Sequence, residues 1–135
     1  MRNMLFTLSF LFSLTICTIS CKKSETNFLI PNGTYAGTFQ RQTSSGGKIS
    51  NVTITFSGNS WTGQSQFAKY PALCHGTYNA KGADSINFEN ACPWTAEFDW
   101  TLILSQDYKL KVVGNSVEIS RDYIGAKDIY NLTKQ

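Results

Sequence analysis

From Gly33 to the C-terminus, apolar side chains recur at every second position, and turn-forming residues interrupt them at short intervals. Tyr35, Gly37 and Phe39 share one face, with Thr34, Thr38 and Gln40 on the other. After a Ser44-Ser45-Gly46-Gly47 turn, Val52, Ile54 and Phe56 alternate with Asn51, Thr53 and Thr55. Ser57-Gly58-Asn59-Ser60 turns the chain again, and Trp61, Gly63, Ser65 and Phe67 then oppose Thr62, Gln64 and Gln66. Successive side chains of a strand point to opposite faces, so each segment predicts a strand with one apolar and one polar side.

The same period continues through Cys74-His75-Gly76-Thr77-Tyr78, a turn at Ala80-Lys81-Gly82-Ala83, and Ile86 with Phe88. Phe98, Trp100, Leu102 and Leu104 read as the next apolar stripe. Leu110 and Val112, a Gly114-Asn115 hairpin, Val117 and Ile119, and finally Tyr130 and Leu132 follow. The regions around Pro71 and Pro93 are irregular, and no segment beyond residue 33 carries a helical period. Short strands joined by hairpins predict an all-β antiparallel up-and-down meander of about eight or nine strands. Closing it into a barrel removes the exposed edges, although a sandwich would satisfy the same alternation.

The first residues follow a different rule. Met1-Arg2-Asn3 is a short positive start, Met4 to Ile19 is almost wholly apolar or hydroxylated, and Lys22 to Asn27 is polar. That order is the signature of a secretory signal. Thr18-Ile19-Ser20-Cys21, at the end of the apolar run, resembles the lipobox of bacterial lipoproteins, in which the cysteine thiol receives lipid. The resemblance implies a signal peptide over residues 1–20, a lipidated Cys21 with a flexible tether over 21–32, and a barrel domain over 33–135. Ordinary cleavage near Ser20, leaving a free Cys21 thiol, and an uncleaved anchor are the competing outcomes; the apolar stretch is short for spanning a bilayer. As a lipoprotein the chain is expected in the cell envelope, on the outer membrane. Lys22-Lys23, in place of an acidic run after the cysteine, favours the periplasmic side.

Cysteine usage changes with this division. Cys17 leaves with the signal, Cys21 takes the lipid, and Cys74 and Cys92 remain as a pair in an oxidising compartment where disulfides persist. A bridge between them stabilises by roughly 3 kcal/mol in the chain-entropy model. The alternative, a metal or redox pair, lacks further ligands nearby: His75 is the single histidine. Charge adds little. The 12 Lys and Arg less Arg2 leave 11 against 9 Asp and Glu, so the formal charge falls from +3 to +2. No concentrated basic face favours nucleic acid.

Gly33-Thr34-Tyr35 opening the first strand, the Cys74-His75-Gly76-Thr77-Tyr78 segment, and Cys92-Pro93-Trp94 followed by Phe98-Asp99-Trp100 resemble small lipocalin-like bacterial lipoproteins. Tyr35 stands where lipocalins carry tryptophan. The resemblance implies a fold and a compartment more than an activity. No catalytic or cofactor motif is recognisable. Glu97 and Asp99 would share the wet face of a strand, where paired acid chemistry lacks the cleft it needs. His75 with Asp84 and Ser85 is composition, not geometry.

Aromatic residues on the apolar faces offer two meanings. They fill the barrel as a close-packed core, or Tyr35, Phe39, Trp61, Tyr78 and Trp100 line a cavity for a small hydrophobic ligand. The first function class expected is therefore a membrane-anchored, non-catalytic binding module with such a ligand. The second is a protein-binding lipoprotein, an inhibitor or envelope-assembly factor, acting through the loops that Cys74 and Cys92 connect, with Trp94 as its anchor. An enzyme is the least supported. The address label is directly testable: Cys21→Ser is expected to abolish palmitate incorporation and move the protein from the membrane to the soluble fraction, and unchanged labelling would refute lipidation.

Overall fold

The alternation becomes eight antiparallel strands: β1 (Gly33–Thr43), β2 (Ile49–Ser57), β3 (Ser60–Ser65), β4 (His75–Ala80), β5 (Ser85–Asn90), β6 (Gln106–Val113), β7 (Ser116–Tyr123) and β8 (Ala126–Lys134). The computed structural model describes residues 30–95 and 97–135. The expected signal peptide, Cys21 with the lipidation expected there, and the expected tether as far as residue 29 lie outside them. Each strand pairs with its neighbour in sequence, and β1 pairs with β8 to close the barrel. Phe39 lies opposite Tyr130 and Arg41 opposite Asp128 across that seam. The closed meander, rather than the sandwich, is the architecture.

A ninth strand through Phe98–Leu104 does not form, and this corrects the stripe drawn there. Asp99 instead caps a 3-10 turn at Trp100–Leu102. Its carboxylate accepts from the Thr101 amide at 2.9 Å and from the Thr101 hydroxyl at 2.5 Å. Such local bonds give the backbone an alternative to a ladder. Consequently Leu102 and Leu104 are buried while Trp100 is 59% exposed. Trp100 thus leaves the set of inward aromatic residues, and Glu97 and Asp99 share no strand face.

The barrel has two unlike ends. One carries the short hairpins at Gly58-Asn59, residues 81–84 and Gly114-Asn115, together with Ile30, where the described chain begins. Ile30 is 1% exposed and plugs that end. The opposite end carries the 44–48 turn, the Ile124-Gly125 turn, and two long loops over residues 66–74 and 91–105. These loops are tied twice. Cys74 and Cys92 form the expected disulfide, and Ala72 donates to the Leu102 carbonyl at 2.9 Å while accepting from Leu104 at 3.3 Å.

Between the ends, the interior is a chain of rings in contact. Tyr35 meets Phe56 at 5.5 Å, Phe56 meets Tyr78 at 5.2 Å, Phe88 meets Tyr108 at 5.7 Å, and Phe39 meets Tyr130 at 4.8 Å, mostly edge to face. Barrels of about eight strands are just wide enough for side chains to fill. The strand glycines do not open gaps. A Cβ on Gly37 would lie 1.9 Å from the Asn131 carbonyl oxygen, and Leu73 packs over Gly63. On Gly76 it would lie 1.8 Å from the Glu89 carbonyl oxygen and 3.0 Å from the Trp61 indole nitrogen. Gly76→Ala is therefore expected to cost about 1–3 kcal/mol in denaturant unfolding. Gly82→Ala, where nothing lies within 4 Å, should stay within about 0.5 kcal/mol. Equal effects at the two positions would contradict the close approach at Gly76.

Candidate functional site

The inward face of each strand does not stay apolar to its end. Two residues beyond Phe39 on β1 comes Arg41; two beyond Ile119 on β7 comes Arg121; two before Tyr130 on β8 stands Asp128. With Tyr123, these residues form a charged layer at the loop-bearing end. Arg41 grips Asp128 with two parallel bonds, Nε to Oδ1 at 2.6 Å and Nη2 to Oδ2 at 2.7 Å. Asp128 is 1% exposed, so its charge is tolerated only because a fork-shaped partner satisfies it.

The layer also holds the capping loop. Arg41 Nη1 donates to Asp99 at 2.6 Å and to the Thr101 hydroxyl at 2.9 Å. Arg121 donates to the Ser105 carbonyl at 2.8 Å and to the Thr101 carbonyl at 2.8 Å. The Thr101 carbonyl accepts a further bond from the Tyr123 hydroxyl at 3.0 Å. Arg121 lies 4.5 Å above the Tyr123 ring and 4.4 Å above that of Tyr108. Two guanidinium groups thus face two carboxylates, and most of their N–H groups are spent inside the fold. The Arg121 Nε and the Tyr108 hydroxyl, both buried, make no hydrogen bond. Burial pushes the Tyr108 phenol well up, against the opposing pull of Arg121.

Trp100 projects from the loop so anchored. Its ring stacks on Phe98 at 6.2 Å with 30° between planes, and Phe98 packs on Trp94 at 5.7 Å. Lys69 places its ammonium 4.9 Å from the centre of the Phe98 ring. Trp94 is half-buried, its indole N–H donating to Asn90 Oδ1 at 2.9 Å. Beside Trp100 a shallow cleft runs between Ile103, Ser105, Gln106 and Tyr123 over Arg121.

The residues expected to line a lumen divide. Tyr35, Phe39, Trp61 and Tyr78 do face inward, at no more than 1% exposure, in contact with other core rings. Their polar tips are occupied: Tyr35 donates to the Pro31 carbonyl at 2.8 Å, Tyr78 to Gly58 at 2.7 Å, and Trp61 to Thr77 at 3.1 Å. Burial raises both phenols. Trp100 joins Trp94 outside instead. His75 is exposed, its Nδ1 3.3 Å from the Cys74 sulfur and 3.1 Å from that of Cys92. The three could group around a cation, but the sulfurs are bonded to each other and are not thiolate donors.

Alternation could have found Arg41, Arg121 and Asp128, because each continues an inward stripe by two positions. Reading charge as an outward mark hid them. The Trp100 cleft had no such signal, since it depends on a turn and on long-range contacts to β1 and β7.

No protein-family model matches the chain, and comparison with curated proteins and with solved structures likewise found no match.

The Asp99 carboxyl is held below the usual carboxylate range, first by the Thr101 hydroxyl and then by the Thr101 amide and Arg41, against burial. A depressed folded value means that the carboxylate's stabilisation is present at neutral pH and is lost as pH falls through that value. Below the normal carboxylate range, Trp100 emission and exchange of the Thr101 amide should therefore change before the barrel unfolds. Asp99→Asn should remove that acid step. An acid transition identical in the variant would refute the tie.

Proposed function

We propose that this protein is a lipid-tethered, non-catalytic binding module of lipocalin-like build whose recognition surface is the loop-bearing end of the barrel, not its lumen. One observation carries this reading. The interior is occupied by mutually contacting rings, with Ile30 at one end and Leu102 and Leu104 at the other, all buried. A cargo molecule would have to displace them, whereas a pocket of pre-formed space is what small-ligand sites offer.

The exterior supports the same assignment. Among the described residues four large apolar side chains are exposed: Ile49, Trp100, Val113 and Ile124. Three of the four, all but Val113, lie at the loop-bearing end. Exposed aromatic anchors held by a rigid surround are the usual carriers of binding energy. The disulfide and the Ala72–Leu102 and Ala72–Leu104 bonds fix both loops before any partner arrives, which reduces the ordering cost of association.

Anchorage through Cys21 gives this end a direction. The described chain begins at Ile30, at the opposite end, and residues 22–30 reach about 30 Å at full extension. The tethered end would face the outer membrane, and Trp100 would face the periplasm. The one imidazole, His75, lies against the Cys74–Cys92 disulfide.

A photo-reactive amino acid placed singly at positions 100, 124 and 111 tests the assignment in intact envelopes. Adducts from 100 and 124, but not from 111 on the outer wall, are expected. Equal adducts at all three positions, or an apolar molecule retained by the purified protein in native mass spectrometry, would overturn it.

A further inference from the structure

We infer that the cleft beside Trp100 is a subsite for one pyranose ring of a neutral glycan. This deepens the loop-end assignment and rests on it. The Trp100 indole lies offset against Phe98, ring centres 6.2 Å apart and planes 30° from parallel, and Phe98 itself contacts Trp94 and the Lys69 ammonium. An indole backed by a neighbouring ring and 59% exposed overall offers a stacking plate.

Charge and polarity select what fits on it. A cation is disfavoured, because Asp99 and Asp128 are already offset by the two guanidinium groups and the Lys69 ammonium adds a further positive charge against Phe98. An anion would need open donors, yet Arg41 is committed to Asp128, Asp99 and Thr101, and Arg121 to Ser105 and Thr101, its unbonded Nε being buried rather than presented to the cleft. A polynucleotide needs a track of available cations for its phosphates, which these same commitments remove. A lipid chain would desolvate the exposed Gln106 carboxamide and the Ser105 hydroxyl, whose own bond to the Ile103 carbonyl is long at 3.5 Å.

A pyranose meets both demands at once. Its C–H face is apolar and lies flat on an indole, while its hydroxyls radiate at the edge, where a carboxamide can both donate and accept. Gln106 supplies the second sign. Its φ is +73°, and only Lys69 shares a positive value among the described non-glycine residues. Left-handed backbone is costly for a long side chain and collects where a side chain must be aimed. Here it starts β6 at the cleft, opposite Phe88.

Ligand-observed saturation-transfer NMR on the intact purified domain tests the subsite, using cellohexaose, chitohexaose, maltohexaose and xylohexaose as four separate probes. At least one should receive saturation with an affinity on the order of 1 mM. Trp100→Ala should weaken it by about tenfold or more, and Gln106→Gly should weaken it while leaving the thermal midpoint unchanged or raised. The unshifted near-ultraviolet signal of buried Trp61 reports that both variants fold. Transfer to none of the four probes, transfer undiminished in Trp100→Ala, or transfer to oligothymidylate instead would overturn the inference. Photo-adducts persisting from position 100 in that event would show that the sugar assignment had failed and the loop-end assignment had not.

Discussion

A ring of eight strands has a narrow interior, and almost everything else in this protein follows from having to fill it. Alternation sends one side chain in two toward a space with no room for water layers, so packing demands large flat groups in edge-to-face contact. Tyr35, Phe39, Phe56, Trp61, Tyr78, Phe88, Tyr108 and Tyr130 meet that demand, each at no more than 3% exposure. Backbones approach closely where the rings crowd, which is why Gly76 stands with the Glu89 carbonyl on one side and Trp61 on the other. A filled lumen is the reason the proposed recognition surface lies outside the barrel.

The filling changes character at one end. There the strands deliver Arg41, Arg121 and Asp128 to the inward face, and desolvating such groups is unfavourable unless their bonding is nearly complete. Completing it recruits the chain outside the barrel: Asp99, Thr101 and Ser105 are all on the 91–105 loop. The charged layer therefore works as a clasp. An apolar layer could seal the barrel equally well, but it would not fix the loop's orientation by bond direction. Arg41 rises further in basicity, first through its bond to Asp128 and then through Asp99, against the opposing effect of burial.

Strand existence, turn positions and the disulfide were legible because each depends on neighbouring residues or on a short inventory. Val52, Ile54 and Phe56 alternate as a strand should and are buried as one, and with Cys17 expected in the signal and Cys21 expected to carry lipid, Cys74 was left with Cys92. The 91–105 loop was not legible. Phe98, Trp100, Leu102 and Leu104 keep the period of a strand, and only the Asp99–Thr101 bonds, competing with a ladder, turn them into a cap. Leu102 and Leu104 still went inside, so burial was half right for a segment whose conformation was wrong. The charged layer lay between these cases: its spacing was visible, but placing arginine inside a barrel requires knowing that Asp128 waits across the seam.

In the proposed role, the two ends divide the work between holding and meeting. Ile30, with Tyr35 and Tyr78 hydrogen-bonded around it, closes the end from which a tether would run. Force or motion transmitted through a tether therefore reaches β1 and the core before it reaches the distal loops. Those loops are cross-linked to each other, and the 91–105 loop is clasped to β1 and β7, so Trp100 moves with the barrel rather than independently of it. For a weakly binding surface this matters more than area. Contact of one ring with one ligand face is small, and it yields useful affinity only when little conformational freedom remains to be lost. Under the proposed lipid anchorage, tethering many copies to one membrane would add effective concentration without adding contacts, and a rigid plate facing away from that membrane is the geometry that would let such copies act together.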